Sequence, residues 1–358
     1  MNIDNLSEIK KLDSGAVAKS IELLADQIRE VLDEAHLIKI PREYSTVKQV
    51  VISGMGGSNL GAGIVKAVFA GEIKVPISIL AGYQVPANVD KDTLFIMSSY
   101  SGTTEETIAT FAEAKKRKAK MLIITSGGDL EKMMMKYDIP GLIFKPSYNP
   151  SNQPRLGLGY SIFGMSILLA KAGLFKIEPK TIRDLIANLE LHDRKYRPEV
   201  RTVNNLAKKI AKKIQGKSPI LVGSEFTTGN LRVMRNQFCE TSKNFASYLV
   251  IPDMNHYAME GLSHPKTNKD HFIFVFFNSK LYHSRVQARN ELTKQVVKKN
   301  KIEVLSVELT SKTKLEQSFE MLQLGTWITY YLGLLNEAHP VSVPFVDWFK
   351  NELHKIDN

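Results

Sequence analysis

The segment Val50–Ser58, VVISGMGGS, constrains this chain more than any other. A β-branched run breaks on Gly54, Gly56 and Gly57 and passes at once into a helical pattern, which is how a strand of a parallel sheet hands over to its covering helix. The turn places backbone N–H groups and the Ser58 hydroxyl at a helix N-terminus, where an anion is favoured and a phosphate is the natural guest. A second hydroxyl-rich turn, SSYSGTTEET at Ser98 to Thr107, follows the apolar run Thr93 to Met97 and also leads into a helix. A helix cap needs one hydroxyl; Ser99, Ser101, Thr103 and Thr104 crowd together here, which favours a ligand phosphate over a plain cap. Two such turns on one sheet can grip one phosphorylated ligand.

The rest of the pattern supplies that sheet. Residues 14 to 36 read as an amphipathic helix through Val17, Ile21, Leu24, Ile28 and Leu32. Strands are predicted at 49–53, 77–80, 93–97, 121–125 and 141–145, with helices at about 60–70, 104–118 and 129–136 between them. The connector PSYNPSNQP at 146–154 cannot form a regular element. After it come an apolar helix at 160–172 and a charged helical segment to about Gln215. The alternation then restarts with PILVG at 219–223, where GSEFTTGN stands in place of GMGGSN. A helix at about 231–245, strands at 247–251, 272–277 and 303–307, and helices at 284–299 and 314–335 complete the second copy. The expected architecture is α/β, with two flavodoxin-like units over 1–180 and 181–358, each a mainly parallel sheet flanked by helices. The two sheets are expected to face one cleft, with the apolar helices 160–172 and 314–335 available for either core or interface.

Several function classes are excluded. The glycines run G-x-G-G rather than G-x-G-x-x-G, and the strand at 77–80 ends in Ala81 and Gly82 where a ribose would need a carboxylate, so a nicotinamide cofactor is disfavoured. The lysine of a nucleotide P-loop is missing as well. Net charge is +11, but the densest basic runs, at 115–120 and 208–213, lie on amphipathic helical patterns without interleaved aromatics and read as solvated faces, so no nucleic-acid partner is expected. A single cysteine, Cys239, rules out a disulfide framework and a cysteine zinc site and is read as a small core residue; it fits a reducing cytoplasm. His264 and His271 lack metal-ligand spacing, and no segment has the length of a signal sequence or a membrane span. A soluble, cytoplasmic protein is therefore expected.

Read in order, GMGGSNLGAG, SYSGTTEET, PSNQPRLGLG, NQFCETSKN, PDMNHYAMEGL and the terminal PVSVPFVDWFK resemble the landmarks of the sugar isomerase (SIS) domain proteins, and within them the bifunctional phosphoglucose/phosphomannose isomerases. They span residues 50 to 350, nearly the whole chain. The resemblance implies that Gly56, Gly57, Ser58, Ser99, Ser101 and Thr104 hold a sugar phosphate and that Arg155 stabilises an enediolate. It further implies Glu240 as catalytic base, His256 as the ring-opening histidine and Lys350 as the lysine that closes the site. It implies no cofactor or metal, and a homodimer in which the histidine reaches the partner's site.

These roles meet the chemical demands of aldose–ketose isomerisation. One carboxylate must carry a proton between C1 and C2 through a cis-enediol, and a second acid/base must open the sugar ring. A permanently charged guanidinium suits the anionic intermediate. The implied substrates are glucose 6-phosphate, mannose 6-phosphate and fructose 6-phosphate. Two positions depart from the pattern: Thr103 stands where many relatives place asparagine, and Val343, beside Ser342, stands where some carry the threonine associated with the mannose epimer. An amino-sugar-phosphate isomerase and a non-catalytic sugar-phosphate sensor are the alternatives; the sensor would have no use for a base at Glu240.

Overall fold

A computed structural model describes residues 1–356. It contains two parallel sheets. The first has five strands, β1 (Gln49–Gly54), β2 (Ile77–Leu80), β3 (Thr93–Ser99), β4 (Lys120–Thr125) and β5 (Gly141–Ile143), in the order β2-β1-β3-β4-β5. The second has four, β6 (Ser218–Ser224), β7 (Ser247–Ile251), β8 (Phe272–Ser279) and β9 (Glu303–Leu309), in the order β7-β6-β8-β9. The first order is that of a flavodoxin-like sheet and the second repeats it without the last strand. In both, the connections reverse direction beside the first strand, which is where open parallel sheets bind ligands.

The central strands β1, β3, β6 and β8 are buried along almost their whole length because both faces are covered. On one side of the first sheet, Ile52, Ile96 and Ile124 pack with Leu60 and Ile64 of helix Gly56–Val68, with Phe163 and Leu168 of helix Leu158–Lys171, and with Ile28 of helix Leu24–Ala35. Val51, Phe95, Met97 and Ile123 face the other side, against Phe111 and Leu130. The predicted helix at 14–36 is broken at Leu23 into Val17–Glu22 and Leu24–Ala35. The break lets the two pieces serve different cores: Val17 and Ile21 pack with Leu221, Val275 and Trp327 around the second sheet, whereas Leu24 and Ile28 join the first.

Helix Lys314–Leu335 is apolar on all sides and buried along almost its whole length, as such a helix must be. Trp327 stacks on Tyr331, and the Trp327 indole donates to Asp193 at 3.1 Å. Both apolar helices left open between core and interface thus belong to the core. The large exposed apolar side chains cluster instead on the C-terminal helix Pro344–Ile356, at Phe345, Trp348 and Phe349. Local periodicity did not single this helix out.

What positions the site is the crossing of helix 56–68 with helix Thr228–Glu240. They run antiparallel: a Cβ on Gly229 would lie 2.6 Å from the Gly63 backbone, and Arg232 donates to the Asn59 side-chain oxygen at 3.0 Å. The two sheets therefore do not present their carboxyl edges to one shared cleft. The carboxyl edge of the first lies beside the amino edge of the second.

Candidate active site

The first glycine turn sits at the switch between β1 and β3, where Gly54 pairs with Ser98. Gly57 is required by a close approach, since a Cβ there would lie 2.8 Å from the Pro154 backbone. Ser58 is buried, and its Oγ accepts from the Tyr100 backbone N–H at 2.8 Å, while Ser98 Oγ donates to the Ser58 carbonyl at 3.2 Å. The two turns are thereby stitched into one surface. In the second, Ser99 and Thr104 hydroxyls bond each other at 2.6 Å, Gly102 N–H donates to Ser99 Oγ at 3.0 Å, and Thr103 Oγ1 donates to Ser101 Oγ at 3.0 Å.

Neither helix that starts here is capped by a side chain. Met55 makes no capping bond at Gly56, and Thr104 makes none at Glu105. None of these hydroxyls caps a helix; they bond one another and nearby N–H groups, and the first turns of both helices have no side-chain cap, the setting in which an anion is favoured. The six residues Gly56, Gly57, Ser58, Ser99, Ser101 and Thr104 form one cradle.

The connector 146–154 is irregular yet firmly held. Buried Gln27 donates to the Tyr148 and Leu156 carbonyls at 3.1 and 2.9 Å and accepts from the Gly159 N–H at 3.0 Å. Asn149 donates to the Tyr100 hydroxyl at 2.9 Å. These bonds fix Pro154 against Gly57 and deliver Arg155, 3% exposed, to the cradle's flank.

Arg155 joins both halves of the chain. Nε donates to Thr241 Oγ1 at 3.1 Å, Nη1 to Gln153 Oε1 at 2.7 Å and Glu240 Oε2 at 3.4 Å, and Nη2 to the Pro340 and Val341 carbonyls, each at 2.8 Å. All five guanidinium N–H groups are engaged. The longest contact is the one to Glu240, so it is the bond an anionic substrate displaces at least cost. Burial pulls the guanidinium's proton affinity down and Glu240 raises it, leaving a permanent cation. Gln237 completes the frame, donating to the Arg155 carbonyl at 3.0 Å.

Glu240 ends helix 228–240 and is one-third exposed at 34%, beside the buried guanidinium. The predicted extension of this helix to about 245 does not form. Ser242 Oγ turns back to the Phe238 carbonyl at 2.6 Å, and Lys243 adopts a left-handed φ of 52°, which terminates it. Cys239 is exposed rather than a core residue, because the buried face of the helix passes through Phe238 instead.

His256 lies elsewhere in the chain. It ends the short turn Asp253–His256 beyond the carboxyl end of β7, whereas Glu240 lies at the amino edge of the same sheet, near Asn244, which donates to the Lys217 carbonyl at 3.0 Å. The 13-residue helix between those edges is about 20 Å long. Lys350 is exposed on helix 344–356, whose root at Pro340 and Val341 is held by Arg155. The structure thus unites the cradle, Arg155 and Glu240 within one chain, and does not bring His256 to them. Gln153, Gln237, Thr241 and Lys243 belong to the cluster without having been singled out in the sequence, although all four lie within or beside the landmark segments.

The turn at the equivalent point of the second sheet is closed. Glu225 has φ 46°, matching 47° at Gly56, and its carboxylate accepts from the His283 N–H at 2.9 Å. Phe226, buried against Tyr282, stands where the first turn has Gly57.

Known proteins resemble this chain in sequence and in fold. Residues 43–131 match the SIS domain and residues 203–353 match the bacterial phospho-glucose isomerase C-terminal SIS domain. The bifunctional phosphoglucose/phosphomannose isomerase of Caldicellulosiruptor bescii is 32% identical over 94% of this chain and 99% of its own length. The chain belongs to the bifunctional phosphoglucose/phosphomannose isomerase family. Another member, from Aquifex aeolicus, is 28% identical over 88% of this chain and 93% of its own length. Among solved structures, a hypothetical protein from Thermus thermophilus shares the fold, with a TM-score of 0.75 at 16% identity, covering 98% of this chain and 93% of that one. As a family member, the chain carries the cradle in its SIS segment and Glu240 in the C-terminal one. Among the described residues, no helix is long and apolar enough to cross a membrane, and no group of three His, Cys, Asp or Glu side chains is placed to hold a metal ion.

Proposed function

We propose that this protein is an aldose–ketose isomerase that interconverts glucose 6-phosphate, and mannose 6-phosphate, with fructose 6-phosphate through a cis-enediol. The observation that carries the reading is the Glu240 carboxylate held against buried Arg155 on the flank of an uncapped, hydroxyl-lined anion cradle. The 6-phosphate occupies the cradle of Gly56, Gly57, Ser58, Ser99, Ser101 and Thr104. Glu240 removes the proton from one of C1 and C2 and returns it to the other. Arg155 stabilises the enediolate by its charge and, where the substrate displaces Glu240 Oε2, by an N–H of Nη1.

Ring opening needs a second acid/base, and this chain's own His256 lies toward the opposite edge of the second sheet from Glu240. In this reading His256 of a second copy supplies it, in a homodimer with shared sites, and Lys350 closes the site. The protein works in the cytoplasm without a cofactor. A coupled assay on fructose 6-phosphate, with and without chelator, tests the reading: equal turnover in both supports it. Glu240→Gln is expected to lower kcat by about 10²- to 10⁴-fold while still binding substrate. Parent protein that binds fructose 6-phosphate without turning it over would replace the enzyme with a sensor.

A further inference from the structure

Lys243 stands beside the proposed catalytic pair in an unusual setting. Its left-handed backbone, immediately after the end of helix 228–240, turns the side chain back onto that helix. Nζ donates to the carbonyl of Glu240 and to the carbonyl of His339, each at 2.7 Å. Three successive carbonyls of one strap, at His339, Pro340 and Val341, therefore accept from cations, the first from Lys243 and the next two from Arg155. The same strap is held by Asn336, which donates to the Ser242 carbonyl at 3.0 Å, and by the His339 ring against Ser14 Oγ at 3.1 Å. It leads directly into helix 344–356, which carries Lys350.

A loop whose consecutive carbonyls all face cations is pinned at considerable electrostatic cost, since the cations repel each other. Arg155 and Lys243 are close enough for that repulsion to matter. Burial, then Arg155, push the Lys243 ammonium down to about 8, against the opposing pull of Glu240. The charged groups facing it are Arg155 from the connector turn and Glu240 from the helix, with His339 on the strap.

We propose that Lys243 is a positioning residue of the isomerase: it fastens the 336–343 strap to the helix end that bears Glu240, so that the carboxylate, Arg155 and the root of the Lys350 helix keep one geometry. The inference rests on the isomerase reading above. Its contribution is to the reacting geometry rather than to phosphate binding, because its contacts lie on the strap and not on the cradle.

The test uses the full-length protein with fructose 6-phosphate and two variants. Lys243→Met is expected to lower kcat about tenfold with KM within about twofold of the parent, as expected when reacting groups are misplaced by a fraction of an ångström. It should also speed amide exchange in the 336–343 strap. Lys243→Arg keeps the charge and donors, so kcat should return to within about threefold. Amide exchange in the strap should likewise return toward the parental rate in Lys243→Arg. A Lys243→Met enzyme with parental kcat, or with parental strap exchange, overturns the proposal. Should Lys243→Met fail to fold, Lys243→Gln takes its place, and parental strap exchange in that variant overturns the proposal equally. Absence of turnover in the parent would defeat the isomerase reading, and strap exchange would still report whether Lys243 fastens the strap.

Discussion

The distance between cradle and carboxylate is set by one helix crossing, and a single methyl group tests that claim. A Cβ at Gly229 would meet the carbonyl carbon and oxygen of Gly63 and the Cα of Ile64 at 2.6 Å, about 0.8 Å short of ordinary van der Waals contact, and all three are backbone atoms that cannot rotate away. Gly229→Ala must therefore push helix 228–240 off helix 56–68 by most of that distance. Such overpacking costs about 1–3 kcal/mol of stability. The larger effect is on catalysis, because a displacement of about 1 Å between reacting groups costs about 10²-fold in rate. The reverse substitution is the control. A Cβ at Gly63 would find its nearest atom, Gly229 Cα, at 3.8 Å, so Gly63→Ala fits and gains about 0.5–1 kcal/mol from helix propensity. With a coupled fructose 6-phosphate assay and thermal unfolding, Gly229→Ala should lose about 30- to 100-fold in kcat/KM and melt earlier, while Gly63→Ala keeps activity and melts no earlier. Equal activity in the two variants, or greater damage from Gly63→Ala, would refute the view that this crossing sets the catalytic geometry.

Two further outcomes follow from buried charge. Arg155→Lys replaces five donors by three, leaving acceptors among Thr241, Gln153, Pro340 and Val341 without partners; a loss of about 3 kcal/mol in urea unfolding is expected, and an unchanged midpoint would show that the guanidinium does not hold the halves together. Asp193, buried beneath Trp327, has its carboxyl pushed up to about 6 by burial despite the Arg197 contact. Its folded value lies above its unfolded one, so the native state binds a proton first, and this group adds stability as pH falls from 7 through 6 toward 4. The stability gap between parent and Asp193→Asn should widen in favour of the parent over that window, and a constant gap in urea midpoints would sink the argument.

Features written into short stretches were legible. The strands at 77–80 and 247–251 and the helix at 314–335 fall where periodicity places them, because each is specified by its own apolar pattern. The two glycine- and hydroxyl-rich turns were legible as turns for a similar reason, since each lies where an apolar strand run gives way to a helical pattern. What escaped depends on contacts far along the chain. Helix 228–240 was expected to run to about Phe245, and the Ser242 back-bond and the left-handed Lys243 backbone end it earlier. Arg155 could be named from its landmark, but its engagement by residues 85 and 186 positions away could not be foreseen. The opposed direction of the two sheets was equally hidden, and with it the separation of His256 from Glu240, because repeat patterns carry no information on how two copies dock.

The second sheet's turn has a quantitative consequence. Duplicated architectures invite an expectation of two equivalent guests, yet the second turn carries Glu225 and buried Phe226 where the first has Gly56 and Gly57, so a negative charge and an aromatic ring replace the bare backbone. On the isomerase reading each polypeptide should therefore admit a single phosphorylated sugar, and titration should reach saturation at one equivalent per chain.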